Sequence, residues 1–319
     1  MIISASYRTD IPALYPAWFR QRLADGFCVV GNPYRPNTPP RRVLLTRATV
    51  DGWVFWTKNL APFWSVLCDL DQQHWPFYVQ YTITGTGRDL EPGVPDWHRS
   101  VAICEQFTQT FGRERLVWRY DPIVLSTHLS PEWHAHHFET LVQGMASYTD
   151  TVVFSVVHPY AKIQRRMAQV APGWAQTRTH DAQRLLARLA ETARQAGLTP
   201  QLCAQPEYLP VDGLAAAQCV DLSRLETIAG TSLGIASSRS PNRPGCLCAP
   251  SIDIGAYDTC TQGCAYCYAV SSFDRAHQRL HTHRADDVSL DPPWAQMTPD
   301  CLNALPTLPE PGALQPTWF

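Results

Sequence analysis

Three thiols share one short loop. The stretch Cys260-Thr-Gln-Gly-Cys264-Ala-Tyr-Cys267 has the spacing C-x3-C-x2-C and directly follows a strand-like run over 252–257. Three thiolates so placed can hold three irons of a four-iron, four-sulfur (4Fe–4S) cluster and leave the fourth iron open. An open iron can chelate the amino and carboxylate groups of S-adenosylmethionine (SAM) and pass in one electron. Reductive cleavage then yields a 5′-deoxyadenosyl radical that abstracts hydrogen from a substrate. Gly263 permits the tight turn, and Tyr266 is placed to pack beside the adenine. The competing reading is a zinc knuckle that adds a fourth ligand to these thiols. Zinc ribbons more often pair C-x2-C knuckles, and only Cys264 and Cys267 fit one.

The chain carries 11 cysteines. A reducing cytosol makes metal or redox chemistry the first expectation for an odd, clustered set. Cys203, Cys219, Cys246 and Cys248 form a full ligand set for a second 4Fe–4S cluster or a zinc ion; buried, unliganded cysteine is the alternative. Cys28, Cys68 and Cys104 lie in apolar contexts and read as core. All but two of the 26 basic residues are arginine, which leaves Lys58 and Lys162 as positions where a compact ammonium matters. Three histidines, His134, His136 and His137, read as a solvated helix face. The Arg165–Arg166 pair reads as surface, and Gly85-Thr-Gly87 lacks the rest of a dinucleotide fingerprint.

These residues need elements to hold them. Near-continuous apolar runs recur at 2–7, 54–58, 77–84, 116–120, 151–157, 199–204 and 252–257, as in parallel strands covered on both faces. Between them lie helical patterns with start and stop signals, including Pro62, Asp96, Ser130-Pro131 and Gly197. Strand and helix in alternation imply right-handed crossovers and a parallel sheet. A hairpin over 27–30 and 42–45 interrupts the alternation. In such folds ligands sit beyond the C-terminal strand ends, and here those ends carry Tyr7, Arg8, Thr9, Asp10, Lys58, Arg119, Asp121, Ser155 and Cys203.

With 319 residues, 45% of them hydrophobic, the chain can bury a large core. A net charge of −2 gives no surplus for phosphate or anionic membrane surfaces. The start of the sequence lacks a signal-peptide pattern, and no run of about 18 apolar residues exists to span a bilayer. The expectation is a cytoplasmic protein without membrane or nucleic-acid partners.

Taken together, the sequence resembles a bacterial radical-SAM-like family, domain of unknown function 1848. The matching stretches are Ser4-Ala-Ser-Tyr-Arg-Thr-Asp-Ile-Pro12, Val54-Phe-Trp-Thr-Lys-Asn59, Tyr78-Val-Gln-Tyr-Thr82, Val117-Trp-Arg-Tyr-Asp-Pro122 and Ser251-Ile-Asp-Ile-Gly-Ala-Tyr-Asp-Thr-Cys260 through Cys267-Tyr-Ala269. The resemblance covers about residues 1–275. The family is distantly similar to spore photoproduct lyase, whose cluster loop follows the first strand of a partial (β/α) barrel. The resemblance therefore implies a circularly permuted α/β barrel, with the run at 252–257 in first place and the N-terminal strand beside it. It divides the chain into one radical-SAM-like domain, 1–285, with the cluster loop at 260–267, and a Pro-rich tail, 286–319, that wraps the surface and is partly disordered.

The function implied is that of a radical-SAM enzyme of unknown substrate, served by a donor such as flavodoxin or ferredoxin. A Gly-Gly-Glu motif that grips the SAM amino group in such enzymes is missing. Tyr7, Arg8, Thr9 and Asp10 occupy its place, with Asp10 as acceptor of the ammonium. Lys58 and Arg119 are assigned to the SAM carboxylate or an anionic substrate. The rival is a non-catalytic metalloprotein in which zinc or a stabilising cluster serves a binding role.

Overall fold

Eight strands lie side by side and parallel in the computed structural model, which describes residues 1–35, 37–174, 178–235 and 243–308. The strands, in chain order, are β1 (Ile2–Ala5), β2 (Phe27–Val30), β3 (Arg41–Leu44), β4 (Gly52–Thr57), β5 (Phe77–Thr82), β6 (Leu116–Ile123), β7 (Thr151–Val156), β8 (Thr199–Leu202), β9 (Ala215–Ala216), β10 (Ser251–Asp253) and β11 (Thr307–Leu308). The large sheet runs β10-β1-β4-β5-β6-β7-β8-β9, with helices between most strands. It is an open, mixed α/β arrangement consistent with a partial (β/α) barrel. The N-terminal strand pairs with a strand from near the C-terminus: Ile2, Ile3 and Ser4 stand opposite Ser251, Ile252 and Asp253.

The strands form because they are apolar on both faces. One face of the sheet buries Trp53, Phe55, Val79, Trp118 and Phe154 against helices that contribute Phe19, Phe107, Phe138 and Leu189. On the opposite face Ile2, Val54, Tyr78, Val117 and Val153 meet Cys219, Val220, Leu225, Cys246 and Cys248 from the segment after β8. Each fully buried side chain of this size contributes roughly 1.5–3 kcal/mol, so both layers are held firmly. Asp96 and Ser130 cap the helices Trp97–Phe111 and Pro131–Met145, accepting from His98 N and Trp133 N. Helix Thr179–Gln195 buries Leu185, Leu186 and Leu189 and gives way to Gly197 at φ 78°.

The hairpin is present as the antiparallel pair β2–β3. The chain after 285 is built into the fold as far as residue 308. Val29 N donates to Val288 O, Trp18 Nε1 donates to Asp287 O at 2.8 Å, and β11 pairs parallel with β3. The expected disorder of the tail falls partly on 309–319, which lie outside the described residues. Among the described residues no helix is long and apolar enough to cross a membrane.

One expectation is overturned. His134 and His137 do not lie on a solvated face. His134 is fully buried, accepting from Tyr120 OH at Nδ1 (2.7 Å) and donating from Nε2 to Val124 O (3.0 Å). His137 stacks on Trp133 and donates to Thr84 O. Only His136 is exposed. Sequence spacing put the three on one helix, and the curvature of the sheet decided which turn faces inward.

Candidate functional site

The C-terminal ends of β10, β1, β4, β5, β6 and β7 open toward one region, and the three-thiol loop lies across it. Asp253, the last residue of β10, ties the first two strands. It accepts from Ser6 Oγ (2.6 Å), Tyr7 N (3.0 Å), Arg8 Nε (2.9 Å) and Gly255 N (2.8 Å). Arg8 adds a bond to the Asp253 carbonyl. Thr9 joins the loop itself: its hydroxyl meets Ala256 O and N and Thr259 Oγ1. A Cβ on Gly255 would collide with Ser6 Oγ and stand 2.9 Å from Thr9 Oγ1. This close approach requires glycine.

The loop is clamped from the other side by the connection after β5. Gly93 N donates to Gln262 O at 2.9 Å, and Ala265 N donates to Leu90 O at 2.9 Å. Gly263 sits at φ 76° with Pro92 against it. Arg166 donates to Cys267 O (2.8 Å) and Val270 O (3.0 Å). It is therefore a brace of the loop, whereas the sequence reading had taken the pair as surface; Arg165 alone is exposed.

Cys260, Cys264 and Cys267 lie close enough to repel one another's ionisation. Burial pushes the Cys260 thiol up to about 12 and raises those of Cys264 and Cys267. Against this, the Gln262 and Asp10 amides favour the thiolate of Cys260, and those of Ala269 and Val270 the thiolate of Cys267. Such backbone N–H groups suit thiolates whose charge would be met by iron. As they stand, no three His, Cys, Asp or Glu side chains among the described residues are arranged as a ready metal site. The chemistry of the donor set nevertheless fits the cluster.

Beside Cys264 lies a buried ion pair that the sequence reading missed. Lys58 Nζ donates to Glu91 Oε1 at 2.8 Å, with 14% and 5% of the two side chains exposed. Thr84 Oγ1 (2.8 Å) and Tyr266 OH donate to the same oxygen. Burial opposes both charges, but the pair wins: Lys58 is raised and Glu91 lowered. The other Glu91 oxygen takes no hydrogen bond from the described residues. Glu91 sits in a Gly- and Pro-containing loop rather than at a strand end, so strand-end reading passed over it. The only usable signal was a carboxylate directly before Pro92-Gly93. Both lysines border the thiol loop, Lys58 over Tyr266 and Lys162 over Tyr257, each 5.5 Å from the ring centroid.

The other sequence candidates divide. Asp10 is occupied locally: Oδ1 accepts from Ala13 N as a helix cap, and Oδ2 accepts from Lys58 N and Gln262 Nε2. Tyr266 is buried, its ring among Val124, Met167 and Leu90. Tyr7 makes an edge contact with Trp56, and its carbonyl accepts from Tyr268 OH. Arg119 faces away from the loop, toward Cys219 Sγ at 3.1 Å, Gln80 and Asp121. Asp121 also accepts from Ser155 Oγ, and its field reaches Lys58 on one side and Arg243 on the other. A polar row thus runs from the three-thiol loop across the sheet to the second cysteine group.

The sequence profile described as Domain of unknown function (DUF1848) matches residues 2–269. That covers most of the chain and includes Lys58, Glu91, Cys260, Cys264 and Cys267. Neither a curated protein nor a solved structure matches.

Proposed function

We propose that this chain, which belongs to the DUF1848 family, is a radical-SAM enzyme acting on a substrate still to be identified. The observation that carries this reading is the loop of three clustered thiols, one buried and two partly buried, set at the C-terminal strand ends beside the Lys58–Glu91 pair. Cys260, Cys264 and Cys267 would hold a 4Fe–4S cluster, which when bound would supply the electron for reductive cleavage of SAM.

The chain's own residues then have distinct tasks. Lys58 offers an ammonium to the SAM carboxylate without leaving Glu91. The unshared oxygen of Glu91 accepts the SAM ammonium, a role first assigned to Asp10, whose oxygens are occupied. Tyr266 and Thr84 fix the Glu91 carboxylate by donating to its other oxygen. Arg8 and Thr9 position the loop rather than the ligand. Tyr7 packs edge-on against Trp56. The adjacency of β1 and β10 is what a circular permutation of a radical-SAM barrel would produce. A cytoplasmic setting and a flavodoxin- or ferredoxin-type donor belong to the same reading.

Anaerobic purification tests it. The expected protein is brown, holds at least four irons per chain, and forms 5′-deoxyadenosine from SAM when dithionite is added. Zinc without iron, or iron with no 5′-deoxyadenosine, would reject catalysis and leave the non-catalytic metalloprotein.

A further inference from the structure

The second cysteine group is assembled from three separate parts of the chain. Cys203 follows β8, Cys219 follows β9, and Cys246 and Cys248 precede β10. Cys219 and Cys203 are 3.3 Å apart, sulfur to sulfur. Cys248 is near enough to both Cys219 and Cys246 for each thiol to perturb the next. Four thiols from positions up to 45 residues apart thus form one connected group. Packing alone seldom gathers so many, since a cysteine filling core space needs no second sulfur.

Within this otherwise apolar layer, charged and polar donors reach the sulfurs. Arg119 Nη1 donates to Cys219 Sγ at 3.1 Å, Arg243 Nη2 to Cys203 Sγ at 3.6 Å, and Val220 N to Cys248 Sγ at 3.3 Å. A neutral thiol is a weak acceptor. Two guanidinium groups and an amide aimed at sulfur are matched to negative sulfur. Arg119 is only 4% exposed and shares its charge with Asp121. Burying that guanidinium against thiols would be a poor use of it unless they become anionic.

We propose that Cys203, Cys219, Cys246 and Cys248 hold a second, thiophilic metal centre. The ligand chemistry is a tetrathiolate, taken by one tetrahedral zinc ion or by the irons of a cluster. Binding a divalent ion by four thiols releases four protons and leaves the centre at −2, which Arg119 and Arg243 oppose. No redox step is involved. The site does not depend on the radical-SAM reading, because it shares no ligand with the first loop.

The test keeps the two centres apart. Full-length protein with Cys260, Cys264 and Cys267 all changed to Ser is purified anaerobically, and its zinc, iron and acid-labile sulfide are measured. The proposal expects metal to persist: about one zinc without sulfide, or about four irons with matching sulfide. Either result supports a tetrathiolate and says which kind it is. Adding Cys219→Ser and Cys248→Ser to that protein should remove at least nine-tenths of the metal. Full retention of metal after those changes would overturn the assignment. So would a folded three-serine protein, judged by circular dichroism, with less than a tenth of a metal equivalent. Should the five-serine protein fail to fold, the three-serine protein is stripped of metal with a chelator and cobalt is then added. Tetrahedral thiolate bands support the site, and their absence overturns it.

Discussion

Removing both partners of the Lys58–Glu91 pair should cost no more than removing either one. The two side chains meet at 2.8 Å with 14% and 5% exposure, and the acceptor oxygen is shared with Thr84 and Tyr266. Glu91→Gln leaves the Lys58 ammonium buried beside a neutral amide. Lys58→Met leaves a buried carboxylate with two hydroxyl donors. Breaking a buried pair from one side costs about 3–5 kcal/mol. For a chain of 319 residues, an unfolding entropy near 2.1 cal/mol/K per residue gives roughly 0.7 kcal/mol/K, so each single change should lower Tm by about 4–7 °C. The double variant should lose no more than the worse single, a departure from additivity of about 3 kcal/mol. Thermal melts of the four proteins, followed anaerobically by circular dichroism at neutral pH, measure this. Additive losses, or single losses below about 1 kcal/mol, would refute a buried, mutually dependent pair.

Other expectations are more local. His134 is lowered by burial from 6.5 to about 4, so its neutral form stabilises the fold fully above pH 6.5, and that share is lost as pH falls to 4. The loss is about 3 kcal/mol, and denaturation at several pH values should show a shallower acid slope in His134→Gln; equal slopes would exclude this histidine. If the thiol loop holds the proposed cluster, Gly255→Ala, by forcing β10 away from Ser6, should lower iron retention several-fold, measured as metal content after gel filtration. On the same proposal, Arg166→Gln should speed loss of iron from the thiol loop to a chelator, while Arg165→Gln, at an exposed position, should not. Under the proposed function, Glu91→Gln should raise the KM for SAM about tenfold or more, the equivalent of about 1.4 kcal/mol, whereas an unchanged KM would take Glu91 out of SAM binding.

Much of this site was legible in one dimension, because some of its signals are local. C-x3-C-x2-C is a single loop, and its thiols need no folding to be counted. The strands were legible as short apolar runs, since a strand covered on both faces has no polar alternation to hide it. The expected neighbour of the first strand, the run at 252–257, is the strand it pairs with, though β10 itself is only Ser251–Asp253.

Partnerships across the chain were not legible. Glu91 became a candidate only when the connection after β5 closed over the cysteine loop and brought it to Lys58. Arg119, plausible at any strand end, turned to the second cysteine group because that segment covers the opposite sheet face. Asp10 looked like a ligand-binding carboxylate and proved to be a helix cap, since a side chain's free valence depends on which backbone amides lie nearby. The sequence by itself determined which elements form and which thiols share a loop, because these follow from local spacing and hydrophobic burial. Only the tertiary structure decided which charge meets which, because a hydrogen bond or ion pair exists over a few ångströms of space, and residues 33 apart reach that separation only after the sheet is built.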